Sequence, residues 1–245
     1  MMMRYLLSIF AALSLAMLCA SSQASDKVLA PSLEFSIKTF ELPARRGKVE
    51  DVSIKTLRLV SVKGMSTKGL KRVNARLRSL EKEMLREAKL CRTSADGHPW
   101  GYEIAFEKIA VSKRYISAVF KKFMVCAGSP DIEKVALVFA RSSGRWVPGV
   151  SLVKELFPPS VDVVASDWSD PERVKLDDHL TEKMIDDSKT AGIELDERCD
   201  FYLKTAYYMV WVDGQRLKFF PEFNQPMSIC QKEYMIVPTA DQRDF

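Results

Sequence analysis

The 245-residue sequence predicts an α+β fold: an antiparallel sheet meander packed on one long amphipathic helix, with a second helix and C-terminal strands. Three observations carry that prediction. Apolar and polar residues alternate over 32–42 and again over 52–62. The apolar period then changes to helical spacing across 67–90, and alternation returns in several later runs.

The chain opens with what reads as a leader. Arg4 supplies a positive charge, residues 5–20 form an apolar run broken only by small serines, and Ser22-Gln23-Ala24 is a small-x-small cleavage site. Residues 1–24 are expected to be a signal peptide, with the mature protein starting near Ser25 and exported to the periplasm or beyond the cell; an uncleaved anchor is the alternative. The apolar run falls short of the roughly 20 residues a spanning helix needs, and no later segment approaches that length. Cys19 follows Leu18, where lipid attachment wants a small residue, so Cys19 is read as part of the leader. Residues 25–245 are expected to form one α+β domain, with a possible subdomain seam at 158–170.

Within that domain the first two alternating runs flank a basic turn at 44–48 and suggest a hairpin. Leu70, Val73, Leu77, Leu80, Met84 and Ala88 recur at helical spacing and make 67–90 the clearest helix. Strands are expected over 102–111, 115–126 and 135–141, and a short helix over 150–157, stopped by Pro158-Pro159. Ser169-Asp170-Pro171-Glu172 has the form of a helix start, so a second helix is expected over 172–189. Residues 201–212, 215–220 and 234–237 complete the chain as strands.

Four cysteines follow the leader: Cys91, Cys126, Cys199 and Cys230. An even number in an exported chain points to two disulfides. Each half of the chain holds two cysteines about 30 residues apart, which favours Cys91 with Cys126 and Cys199 with Cys230 among the three possible connectivities. Each such loop would stabilise the fold by roughly 3 to 4 kcal/mol in the chain-entropy account. Closely spaced C-x-x-C pairs, which a structural zinc site wants, do not occur.

Charge is unevenly distributed. Between Arg45 and Lys89 there are 14 Lys/Arg against 5 Asp/Glu, and between Asp162 and Asp200 there are 13 Asp/Glu against 5 Lys/Arg. On a helical wheel of 67–90, Lys68, Lys71, Arg72, Arg78, Lys82, Arg86 and Lys89 gather opposite the apolar side, and no acid interrupts them. Like charges at this spacing repel, so the stripe costs stability unless an anion relieves it. It is therefore the candidate ligand-binding face. The competing reading is a solvated surface, balanced by the acidic segment around Asp177, Asp178, Glu182 and Asp186. Export disfavours nucleic acid as the partner and leaves anionic glycans, phospholipid head groups or an acidic protein.

Catalytic signatures are absent from the sequence. Its two histidines, His98 and His179, lie in a turn-rich loop and in the acidic segment, and no G-x-S-x-G, H-E-x-x-H or phosphate-binding glycine loop occurs. The ladder Asp178, Glu182, Asp186 lacks the loop that wraps calcium. No cofactor or metal is expected. Trp100, Trp146, Trp168 and Trp211, with 219–223, are read mainly as core, with a sugar-stacking surface as the alternative.

The runs 102–106 and 115–120, then Cys126-Ala127-Gly128-Ser129-Pro130, then 144–157 ending in Leu156-Phe157, resemble the extracytoplasmic domain of RsiV-type lysozyme-sensing anti-sigma factors. They also resemble the non-catalytic N-terminal region of PdaC-type peptidoglycan deacetylases. Phe201-Tyr202-Leu203 followed by Lys218-Phe219-Phe220-Pro221 resembles that family's last strand pair. The family's glycine-rich loop is reduced here and lacks its histidine. The resemblance implies an α+β envelope domain without catalytic residues that binds a protein or glycan. The expected function is accordingly an exported, disulfide-stabilised, non-enzymatic binding domain of the bacterial envelope. An inhibitor or immunity protein against an envelope-targeting enzyme, or an envelope hydrolase with dispersed carboxylates, are the alternatives.

Overall fold

The computed structural model describes residues 33–42, 52–98, 100–126, 128, 130–157, 164–167, 170–223 and 228–239. The expected signal peptide at 1–24 and the basic turn at 44–48 lie outside these residues, as do Trp168 and most of the expected seam at 158–170.

The fold is α+β, with two sheets. The first contains β1 (Leu33–Leu42), β2 (Val52–Val62), β3 (Gly101–Val111), β4 (Tyr115–Val125) and β5 (Asp131–Ala140), in that spatial order. The long helix α1 (Thr67–Ser94) connects β2 to β3. As expected, β1 and β2 form an antiparallel pair, as do β3 with β4 and β4 with β5. The junction of β2 with β3 is different: Val52 to Ile54 pair with Tyr102 to Ile104 in parallel. A parallel junction needs a crossover that returns the chain to the end where it began, and α1, about 42 Å long at 1.5 Å per residue, supplies it. The sheet is thus mixed rather than a simple meander.

Past Ile54 no β3 partner lies beside β2, and α1 satisfies part of the exposed backbone. The buried Asn74 accepts from the Leu59 amide (2.9 Å) and donates to the Leu59 carbonyl (2.8 Å), taking the place of a neighbouring strand.

The second sheet has the order β10-β9-β8-β7-β6, made by β6 (Val164–Asp167), β7 (Asp170–Lys175), β8 (Tyr207–Asp213), β9 (Arg216–Glu222) and β10 (Tyr234–Ile236). Helix α2 (Gly149–Leu156) packs on β7, and α3 (Asp178–Thr190) packs on β10 and on α4 (Cys199–Thr205). Two expectations are corrected here. Residues 170–175 are a strand rather than the start of a helix, because Arg173, Val174 and Lys175 pair with Met209, Tyr208 and Tyr207. Helix α3 starts only where Asp177 caps it, accepting from the Leu180 amide at 2.7 Å. The strand expected over 201–212 begins at Tyr207. Before it, Cys199 and Leu203, one helical turn apart, are both fully buried and close α4, so Phe201-Tyr202-Leu203 is not a strand.

Two apolar clusters share strands β4 and β5. Ile116, Ala118, Phe120, Leu137 and Phe139 face α1, whereas Tyr115, Val119, Ala136 and Val138 face the second sheet. The buried Ser117 ties the layers together by accepting from the Val212 amide at 3.2 Å. Both disulfides pair as expected, Cys91 with Cys126 and Cys199 with Cys230. The first lies in the α1 cluster and its neighbourhood, the second in the other cluster. Among the described residues no helix is long and apolar enough to cross a membrane.

Candidate anion-binding face

The sequence places seven cations on the side of α1 opposite its apolar residues, and the structure keeps that division. Ser66 caps the helix by accepting from the Gly69 amide at 3.1 Å. Val73, Leu77, Leu80, Met84 and Ala88 are buried against the first sheet. Lys68, Lys71, Arg72, Arg78, Lys82, Arg86 and Lys89 are all exposed on the other side. Arg72 donates to the Ser143 carbonyl at 3.3 Å. Among the described residues, the side chains of the other six make no ion pair or hydrogen bond.

The three acids of α1 do not relieve the stripe, because each is drawn elsewhere. Glu81 pairs with Lys38 of β1 at 2.5 Å. Glu83 pairs with Arg76 at 3.0 Å and accepts from the Ser79 hydroxyl at 3.1 Å. Glu87 accepts from the Tyr102 hydroxyl at 2.6 Å and pairs with Lys122 at 3.5 Å. Nor does the acidic helix reach it. Helix α3 belongs to the other cluster, where Glu182 pairs with Lys204 at 2.9 Å and Lys183 with Asp187 at 3.0 Å. The balancing role considered for Asp177, Asp178, Glu182 and Asp186 is therefore not realised.

Five like-charged pairs stand at i,i+3 or i,i+4 along the stripe, Lys68 with Lys71 and Arg72, Lys82 with Arg78 and Arg86, and Arg86 with Lys89. At a few tenths of a kcal/mol each, their repulsion totals about 1–2 kcal/mol. Burial of Val73, Leu77, Leu80 and Met84, at roughly 1.5–3 kcal/mol apiece, outweighs it several-fold. The helix forms despite its outer face, and that face is left available to an anion.

A second charged region, which sequence reasoning missed, joins the two sheets. Lys134 pairs with Glu107 at 2.6 Å and with Glu233, and Lys108 pairs with Asp213 at 3.1 Å and Glu233 at 3.2 Å. Both ammonium groups lie over the fully buried Trp211 ring, at 5.5 Å for Lys108 and 5.7 Å for Lys134. Beside them Lys122 pairs with Glu133 at 2.5 Å, and Arg173 bridges Glu133, at 3.5 Å, to Glu222. Burial pushes Glu222 up to about 7. The adjacent Arg173 pulls the other way, and Glu133 adds to the rise. Only pairing across strands distant in sequence assembles this network, so no local motif announces it.

A cavity of about 380 Å³ adjoins the N-terminal end of the stripe, lined, among the described residues, by Lys113, Arg114, Arg141 and Arg145 with Tyr115 and one acid, Glu155. His98 and His179 are exposed. Trp100 and Trp146 are half-buried, the latter under the Arg76 guanidinium at 5.0 Å, and Trp211 is core. Among the described residues no group of three His, Cys, Asp or Glu side chains is arranged to hold a metal ion.

No protein-family model matches the chain, and no curated protein matches it. Solved structures do. A DUF3298 family protein from Pseudomonas aeruginosa PAO1 is similar at 12% identity and a TM-score of 0.50, over 87% of this chain and 94% of that one. A member of the same family from Bacteroides fragilis NCTC 9343 is similar at 11% identity and a TM-score of 0.48, over 85% of this chain and 91% of that one. The Pseudomonas likeness shows a shared fold with a family whose function is unknown.

Proposed function

We propose that this chain is an exported, non-enzymatic binding domain of the bacterial envelope that recognises an anionic ligand, a glycan or an acidic protein surface, through the outer face of α1. The observation that carries this reading is the stripe: six exposed cations without partners among the described residues, beside three acids that all point their charge elsewhere. Two disulfides agree with an oxidising compartment, as the leader-like residues 1–24 suggest. The resemblance to RsiV-type domains supports a binding role without naming a ligand, and the fold shared with a DUF3298 protein is compatible with it.

The hydrolase alternative gains no support from the cavity. Glycoside cleavage wants two carboxylates across the scissile bond, and this lining has one carboxylate among four cations.

The test is retention of the oxidised protein on an immobilised sulfated polysaccharide at 50 mM and 500 mM NaCl. Wild-type protein is expected to bind at the lower salt and elute at the higher, and Lys71→Glu with Arg78→Glu and Lys82→Glu is expected not to bind. Elution of the folded triple variant at the wild-type salt concentration would refute the assignment.

A further inference from the structure

The cavity beside the stripe is built from three separate turns and a helix. Gly64 comes from the β2–α1 turn, Lys113 and Arg114 from the β3–β4 turn, Arg141 and Arg145 from the turn after β5, and Glu155 from α2. Among the described residues its lining carries four cations and one acid, Glu155. These groups are held in place. The Arg141 amide donates to the Arg114 carbonyl at 2.7 Å, and the Arg141 guanidinium donates to the Ser112 carbonyl at 3.4 Å and the Lys63 carbonyl at 3.2 Å. Arg114 lies over the Tyr115 ring at 5.5 Å and pairs with Glu155.

The turn carrying Arg145 is fixed against α1. Gly144 adopts a φ of +65°, and a Cβ there would lie 2.2 Å from the Gly69 carbonyl oxygen, so only glycine permits this approach. Tyr115 forms the floor: it is 2% exposed, and its hydroxyl, a donor that a bound anion would share, lies beside the Glu155 carboxylate.

We infer that this cavity binds a phosphoryl group carried on a sugar-sized moiety, as a site separate from the α1 stripe. A lining in which arginine side chains outnumber the acid suits a multiply charged anion better than a single carboxylate. Guanidinium groups match the geometry of phosphate oxygens, and the volume exceeds what a bare phosphate fills. The inference does not depend on the stripe being a binding face.

Calorimetric titration of the oxidised protein with glucose 1-phosphate, inorganic phosphate and glucuronate in 150 mM NaCl tests it. Glucose 1-phosphate is expected to bind at one site, at least tenfold more tightly than glucuronate or inorganic phosphate. Arg145→Glu, a change on an exposed side chain, is expected to weaken binding at least tenfold. Tyr115→Phe, which removes only the hydroxyl, is expected to weaken it several-fold. The α1 triple charge reversal is expected to leave it within threefold. The inference is overturned if no saturable binding occurs, if glucuronate or inorganic phosphate binds as well, if both cavity variants bind like wild type, or if the α1 triple variant alone abolishes binding.

Discussion

Glu222→Gln turns a buried titration into a measurable difference in stability. The Glu222 side chain is 15% exposed at the junction of the sheets, with Arg173 of β7, Glu133 of β5 and Lys122 of β4 around it. One carboxylate oxygen is paired with Arg173 and the other, Oε1, has no hydrogen-bond partner. Burial raises the group from its ordinary 4.5 to about 7. Between those values the folded chain keeps a proton that the unfolded chain has released, so stability falls as pH rises from about 4.5 to about 7 and stays lower above. At 1.36 kcal/mol per pKa unit, the full difference is about 3 kcal/mol. Glutamine mimics the protonated acid and removes the titration. Urea unfolding of the oxidised protein, followed by tryptophan fluorescence, should show the two proteins alike near pH 4.5. At pH 8 the variant should be more stable by about 3 kcal/mol, equivalent to a midpoint of thermal unfolding about 6–12 °C higher for a domain of this size. The neighbouring pairs of Glu133 with Lys122 and Arg173 are common to both proteins and cancel in the difference. A variant-minus-wild-type difference that does not change with pH, or a variant less stable at pH 8, would refute the reasoning, the latter showing that the Arg173 ion pair outweighs burial.

Three further outcomes follow from the same structure. Asn74→Ala should cost about 2–4 kcal/mol in urea unfolding, since it strands the buried Leu59 amide and carbonyl; a cost below about 1 kcal/mol would mean that water replaces the side chain. Lys82→Glu, between Arg78 and Arg86, should stabilise the protein by about 1 kcal/mol while weakening polyanion retention, and loss of both would contradict the account of the stripe as a destabilising face. Cys199→Ser with Cys230→Ser should lower stability by roughly 3–4 kcal/mol, read as a shift in the urea midpoint; an unchanged midpoint would count against that bond as a staple.

Much of the fold was legible because it is written in local periodicity. The alternation of Val52, Ile54, Leu57 and Leu59 marks β2, and the spacing of Val73 to Ala88 marks α1. Errors arose where a local signal had two meanings. Asp170-Pro171 looks like a helix start, yet pairing with β8 makes it a strand, and the true cap is Asp177. Phe35 and Ile37 alternate as though half-buried, but they are 40% and 49% exposed because the second sheet packs on β4 and β5 instead. The cationic stripe could be read because one helix carries it. The cavity could not, since Arg114, Arg141 and Glu155 meet only after two turns and helix α2 have folded together.

Helix α1 divides its sequence into two parts that evolve under different constraints. Its inner residues and Asn74 are held by the crossover, the cluster beneath and the unfinished edge of β2, so substitutions there are penalised whatever the protein recognises. Its outer residues touch almost nothing within the chain, and replacing their positive charges would relieve repulsion. Drift under selection for stability alone would erode such a stripe. The charge on that outer surface can therefore be rewritten, residue by residue, without rebuilding the sheet below.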